Sequence, residues 1–285
     1  MGKDNTMVNI LFFIDTLSGG GAEKVLVNLV NHMDPAQFDI TVMTLFDVGV
    51  NRKFLDSKIK YKYCMKRQFK GNSKVLKLFT PQFLHKKFIK EKYDIEISYL
   101  EGPTSRIISG CENPNTKLVS WVHCTMHSES EVAYPYRNYA EAKQCYSKFD
   151  AIAFVSEEVK NSFCENCDTP AKKLVIYNTN ESDKIKALSK ESVSENEMAS
   201  DKLKLCVVGK LIPVKAYDRM INIQKKLKDD GLKTHLYLLG IGQCEEELKK
   251  LCEQDIESLE DADEYIGQEQ SEQSTQSNGD YNLRK

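Results

Sequence analysis

Long apolar runs are missing from this sequence: none approaches the ~18 consecutive residues that a membrane-spanning helix needs. A secretory leader is missing too. The opening MGKDNTMVNILFFID has neither a cationic flank nor a small-residue cleavage site, and it reads as a solvated start before a first strand. Charge of one sign is scarce in bulk, with a formal net charge of -2 over 285 residues, and no nucleic-acid partner is expected. Paired metal-binding cysteines are also lacking. Cys164 and Cys167 form the one CxxC, and no second CxxC or suitably spaced His pair completes a four-ligand zinc site. The pair reads as helix-end packing, and no metal ligand is assigned. Nine cysteines, an odd number without a leader, fit a reducing compartment and a cytoplasmic location.

What is present alternates between strand and helix. Val8–Ile14 is a continuous apolar run, followed by Asp15-Thr-Leu-Ser-Gly-Gly-Gly and a helical period through Val25, Leu26, Leu29 and Val30. Further strands are expected at Asp39–Leu45, Asp94–Tyr99, Lys117–Val122, Ala151–Val155 and Leu174–Tyr177. An amphipathic helix is expected over Lys74–Lys92, with Val75, Leu78, Phe79, Phe83 and Phe88 near one face and Pro81 kinking or restarting it. Short apolar strands separated by helices predict a parallel sheet covered on both faces, an α/β fold. From Arg52 to Lys92 fourteen Lys/Arg face two acids, Asp56 and Glu91.

The composition shifts twice. SKESVSENEMASD, ending at Asp201, is polar and aperiodic and reads as a linker. A fresh unit follows: strand LKLCVVG from Leu203, loop Lys210–Val214, helix Lys215–Asp229, a stop at Gly231, strand THLYLLG and a helix from Glu245. After Cys252 come ten acids against Arg284 and Lys285, with QEQSEQSTQS and few large apolar residues; this composition predicts disorder. The expected organisation is an N-terminal domain 1–188, a linker 189–201, a partial second domain 202–252 and an acidic tail 253–285.

The loop after the first strand carries chemistry. Glycines let backbone approach a ligand closely, and the free N–H groups of a following helix start attract anions. Dinucleotide spacing fails, because GxGxxG would need glycine where Lys24 stands, and no Walker Lys-Ser/Thr pair follows. That spacing disfavours a nicotinamide-dependent dehydrogenase.

From ILFFIDTLSGGGAEKVLVNLVNHM onward the chain resembles the family-four glycosyltransferases, retaining enzymes of the two-domain GT-B fold. The likeness continues in SWVHC around His123, FDAIAFVSEEVKNSF around Ser156, KLVIYN ending at Asn178, and VVGKLIPVKAYDRMI followed by LYLLGIG. The resemblance implies a complete N-terminal Rossmann-like domain plus part of a second. It implies transfer of a sugar from a nucleotide diphosphate donor to a glycan or lipid-linked acceptor, with retention, in surface-polysaccharide assembly. No metal or other cofactor is expected, the nucleotide sugar serving as co-substrate.

The same resemblance places Lys210 and Lys215 at the donor diphosphate, where the family commonly has Arg at the first position and Gly after the second Lys; here Ala216 follows, a small change. It places His123 near the reacting sugar, hydrogen-bonding a hydroxyl or taking the acceptor's proton, and gives Gly19, Gly20 and Gly21 the glycine-loop role. Glu101 is an acceptor-side candidate at another strand end. The basic stretch 52–92 would suit peripheral contact with an anionic membrane face. The family's Glu-x7-Glu donor clamp has no counterpart in proper context: Glu245…Glu253 and Glu264…Glu272 have the spacing but lie in Lys/Glu-rich or acidic segments. The expectation is therefore a chain with little transfer activity of its own; the alternative is a non-catalytic acceptor- or partner-binding remnant.

Overall fold

β1 (Val8–Ile14) has its last five residues fully buried, as a strand covered on both faces should. It sits inside a seven-stranded parallel sheet ordered β3-β2-β1-β4-β5-β6-β7. The others are β2 (Phe38–Phe46), β3 (Lys60–Met65), β4 (Ile95–Ser98), β5 (Lys117–Val122), β6 (Ala151–Phe154) and β7 (Lys172–Val175). In this computed structural model residues 7–191 and 202–256 are described, with side chains through Cys252. They divide into two units at Lys186/Ala187. The expected linker lies outside the described residues from 192 on, and the expected acidic tail lies outside them from 257 on.

Two apolar clusters cover the sheet. One gathers Leu11, Phe13, Leu84, Ile107, Leu118 and Phe154. The other gathers Ile10, Phe12, Leu26, Val30, Val42 and Trp121. This alternation along β1 follows from period-two side-chain geometry. Helices α1 (Gly21–His32), α4 (Pro103–Ile108), α5 (Glu129–Val132), α6 (Tyr139–Tyr146), α7 (Glu157–Asn166) and α8 (Ser182–Leu188) fill the connections.

In the first unit, two elements differ in kind from expectation. β3 lies inside the basic stretch and pairs at the sheet edge with β2. Its Lys-Tyr-Lys-Tyr alternation is a strand signal that the charge of the segment hides. The single helix expected over Lys74–Lys92 is two helices, α2 (Asn72–Leu78) and α3 (Pro81–Phe88). Thr80 breaks them by capping α3, its hydroxyl accepting from the Phe83 N–H, with Pro81 in the first turn. The break reverses the expected face. Leu76 and Leu84 point inward, whereas Val75, Leu78, Phe79 and Phe83 are exposed.

The second unit holds β8 (Leu203–Val208) parallel to β9 (Thr234–Leu239), with α9 (Tyr217–Asp229) and α10 (Glu245–Ile256). Its core is Leu211, Tyr217, Ile221, Leu238, Leu248 and Cys252. α10 runs four residues into the segment expected as tail. α9 begins two residues later than expected, because Pro213–Lys215 forms a 3-10 turn and Ala216 takes a left-handed conformation.

Candidate functional site at the sheet's switch point

Chain order reverses between β1 and β4: the chain runs outward through β2 and β3, then returns to the other side of β1. At such a point the loops leaving the strand ends part and open a crevice for ligands. Asp15 leaves β1 there. Its Oδ1 is shut off from solvent and finds no hydrogen-bond partner among the described residues. Burial, followed by the nearby carboxylates of Glu101 and Glu23, pushes Asp15 up to about 7. A carboxyl with that pKa is available in both protonation states at neutral pH.

The glycine loop is pinned from behind. The Leu17 N–H donates to the Val48 carbonyl at 3.0 Å, the Asn51 N–H to the Leu17 carbonyl at 2.9 Å, and the Asn51 side chain to the Ser18 carbonyl. Gly49 makes this possible: its φ is +134°, and a Cβ there would lie 2.0 Å from the Leu17 backbone. Gly19 and Gly21 are different. A Cβ on Gly19 would meet nothing nearer than Val50 at 3.8 Å, and one on Gly21 would meet nothing within 4 Å. The fold of the chain itself does not demand glycine at either position, and the space beside them is open to a ligand. Gly20 caps α1.

Glu101 leaves β4, and His123 leaves β5. The His123 backbone N–H donates to Glu101 Oε2 at 2.7 Å. Burial raises the Glu101 carboxyl, partly offset by that bond. The His123 ring lies against two aromatics, with centroids 4.9 Å from Tyr99 and 6.3 Å from Trp121. Burial in this setting lowers the imidazole to about 4, and a hydrogen bond to the Tyr99 backbone only partly counters it. The ring is therefore neutral near pH 7. Nε2 is buried without a partner among the described residues, so it can serve a ligand hydroxyl. The site thus brings together Asp15, Glu101, His123 and the Gly19–Gly21 loop.

Asp15 was missing from the sequence-based set. The signal was there: a carboxylate that follows five consecutive apolar strand residues, Ile10–Ile14, is buried unless the loop lifts it out. Lys210 and Lys215 belong to the second unit. Both are exposed, Lys210 just beyond β8 and Lys215 at the end of the 3-10 turn. Within this unit they sit on the loop after a parallel strand, where anion-binding groups occur.

The model of Glycosyltransferase Family 4 matches residues 19–179, more than half of the chain. No curated protein matches the chain in sequence. Several solved structures share the fold. Anabaena HepE is 16% identical with a TM-score of 0.55, the match covering 89% of this chain and 67% of HepE. Staphylococcus aureus TarM is 11% identical with a TM-score of 0.58, over 88% of this chain and 76% of TarM. The E. coli trehalose-6-phosphate protein bound with UDP-2-fluoro glucose is 10% identical with a TM-score of 0.61, over 87% and 69%. The sheet order, the glycine loop it carries and the family match agree: this chain belongs to glycosyltransferase family 4 and has the α/β architecture of the GT-B enzymes.

Proposed function

We propose that this chain is built for transfer of a hexosyl group from a nucleotide diphosphate sugar, with uridine diphosphate as carrier, to a glycan or lipid-linked acceptor with retention, its own turnover being low for want of the Glu-x7-Glu donor clamp. The observation that carries the reading is the cluster of Asp15, Glu101 and unpartnered His123 Nε2 beside the open glycine loop at the switch point. The carrier is drawn from HepE and TarM, whose structures hold UDP.

The barrier lies in expelling the nucleoside diphosphate as the sugar becomes oxocarbenium-like, so stabilising charge on the leaving phosphate matters most. The second unit offers exposed Lys210 and Lys215, cations of the kind such a charge needs, although neither has the bidentate fork of Arg. The N-terminus of α1 adds N–H groups beside Gly20. His123, neutral near pH 7, positions a sugar hydroxyl through Nε2 rather than storing a proton. Asp15, near neutrality in its titration, is the better-placed group to accept the acceptor's proton. Exposed Leu78, Phe79 and Phe83 among lysines fit peripheral contact with the cytoplasmic face of a membrane, the setting of surface-polysaccharide assembly.

Calorimetric titration with UDP and UDP-glucose tests the reading. Saturable binding is expected, weakened about tenfold or more in Lys210→Ala or Lys215→Ala. No heat from either ligand with the wild-type chain would sink it.

A further inference from the structure

We propose that His85, Glu96 and Cys111 form a site for a zinc-class divalent cation that braces α3 against the sheet. The three residues come from the last turn of α3, the middle of β4 and the segment after α4. Their ligand atoms all lie within 4.8 Å of one another, and no other group of three such residues does so among the described residues. None belongs to the switch-point site. Sequence spacing could not show them, since they stand 11 and 15 residues apart with no repeated motif.

Glu96 is out of place in its layer. It pairs in register with Leu11 on one side and Leu118 on the other, both buried, and is itself 2% exposed. A carboxylate there must be matched by positive charge. His85 Nε2 reaches Glu96 Oε2 at 2.7 Å, and Cys111 Sγ approaches Glu96 Oε1 at 4.0 Å. The thiol contact is at the outer limit for a sulfur hydrogen bond and contributes little as one. Its position is nevertheless enforced. Gly110 passes so close to the start of α3 that a Cβ would lie 2.1 Å from the Pro81 carbonyl oxygen, and this close passage delivers Cys111 to the carboxylate.

Zinc bonds of ~2.0–2.3 Å to nitrogen, oxygen and sulfur place tetrahedral ligand atoms about 3.3–3.7 Å apart. His85 lies 2.7 Å from one Glu96 oxygen and Cys111 4.0 Å from the other, with one ligand atom of each residue within 4.8 Å of the other two. Small side-chain rotations would bring the three ligand atoms onto one ion. Burial alone would lower the His85 imidazole, but hydrogen bonds with Cys111 and Glu96 outweigh it and raise it to about 9, so the ring holds a proton near neutral pH. That proton and the thiol proton both leave to solvent on ligation, so a dication with one thiolate, one carboxylate and a neutral imidazole is electrically neutral. Such a unit suits an apolar layer. His85 is 14% exposed, so solvent can supply a fourth ligand. The site holds structure and takes no part in sugar transfer.

Cobalt(II) titration of the full chain, freed of metal by chelation, reads the site directly. One equivalent should produce a thiolate-to-cobalt charge-transfer band that zinc abolishes, and zinc should raise the thermal midpoint. Cys111→Ser should lose the band, and Cys164→Ser should keep it. His85→Gln, at a partly exposed helix end, should weaken cobalt affinity at least tenfold while the far-ultraviolet circular dichroism stays unchanged; it serves should Cys111→Ser fail to fold. A band that survives Cys111→Ser, wild-type affinity in His85→Gln, or no band at one equivalent would leave only a His–Glu pair and overturn the proposal.

Discussion

Arg106 grips Glu141 through two parallel hydrogen bonds, Nε to Oε2 at 3.1 Å and Nη2 to Oε1 at 2.8 Å, with the arginine 1% exposed. The same guanidinium donates to the Leu76 carbonyl at 3.0 Å and the Phe79 carbonyl at 2.7 Å. These carbonyls lie at the end of α2 and its cap, where the Thr80-Pro81 break stops the helical ladder and Leu76 keeps one backbone bond, from the Phe79 N–H at 3.3 Å. Arg106→Met strips all of these partners at once and should destabilise the first unit by about 3–5 kcal/mol. Burial alone would raise the Glu141 carboxyl, but hydrogen bonds from Arg106 and Arg137 outweigh it and hold it low. A depressed carboxylate adds stability above its unfolded pKa and loses it as pH falls through the folded value. The variant should therefore also flatten the acid limb of the stability curve. Urea denaturation between pH 3 and 7 measures both, and a loss under about 1 kcal/mol would contradict the ion pair's role.

Asp15 has the opposite sign. Its folded pKa of about 7 lies above the unfolded value of 3.8, so between these pH values the native state holds a proton that the unfolded state has lost. Stability from this group is full below the unfolded pKa and falls as pH rises through 7. Asp15→Asn removes the titration. The variant should gain on wild type from pH 5 to 9, by on the order of 2–4 kcal/mol at the upper end. Parallel curves for the two proteins across that window would show that Asp15 titrates normally.

The sheet was legible because its strands are short apolar runs at regular separation, and Val8–Ile14 and Lys117–Val122 match the observed β1 and β5. β3 was not, because Lys60 and Lys62 put charge on an edge strand that need not be apolar. The α2–α3 break was half legible: Pro81 announced it, but only Thr80's cap and Arg106's grip decide which residues turn inward. Glu101 could be named from its strand end, and His123 through the family resemblance. Their joining, and Asp15's isolation, depend on β4 lying between β1 and β5. Local pattern does not encode that order.

His123→Ala tests the positioning role within the proposed reaction. In that reading the neutral ring holds a hydroxyl through Nε2, so its loss should lower kcat about 10²-fold from its wild-type value while UDP affinity changes less than about threefold. Because the ring titrates near 4, wild-type activity should show no inflection near pH 6.5 from this residue. An unperturbed histidine profile there, vanishing in His123→Ala, would mean that the imidazole is exposed to water.

Ala216 is the one non-glycine residue with positive φ among the described residues, at +52°. Replacing the family's usual glycine by alanine looked like a small change by size, but the backbone makes it a strained one. A Cβ in the left-handed region costs roughly 1–2 kcal/mol. Ala216→Gly relieves it and gives back about 0.5–1 kcal/mol through the freer unfolded chain. The second unit should gain about 0.5–1 kcal/mol, read as slower amide exchange across β8 and α9. Faster exchange in the variant would mean that the turn carries no strain.

The exposed face of α2 and α3 has the composition of a membrane-surface contact. Leu78 is 76% exposed, Phe79 and Phe83 stack with centroids 5.1 Å apart, and Lys87 lies 5.9 Å from the Phe83 ring. Arg106 and Arg137 fix the backbone beneath, Arg137 donating to the Lys77 and Leu78 carbonyls. The patch is thus held in place before any partner arrives. Each lysine near an anionic surface contributes about 1 kcal/mol, screened beyond a Debye length of about 10 Å at 0.1 M salt. Co-sedimentation with phosphatidylserine-rich vesicles should therefore be strong at low salt and weak at high salt. The double variant Leu78→Ser, Phe83→Ser should lose the portion that resists salt, because it removes apolar insertion and leaves the charge. Absence of pelleting at low salt, or equal binding to zwitterionic vesicles, would rule out this face as the membrane contact.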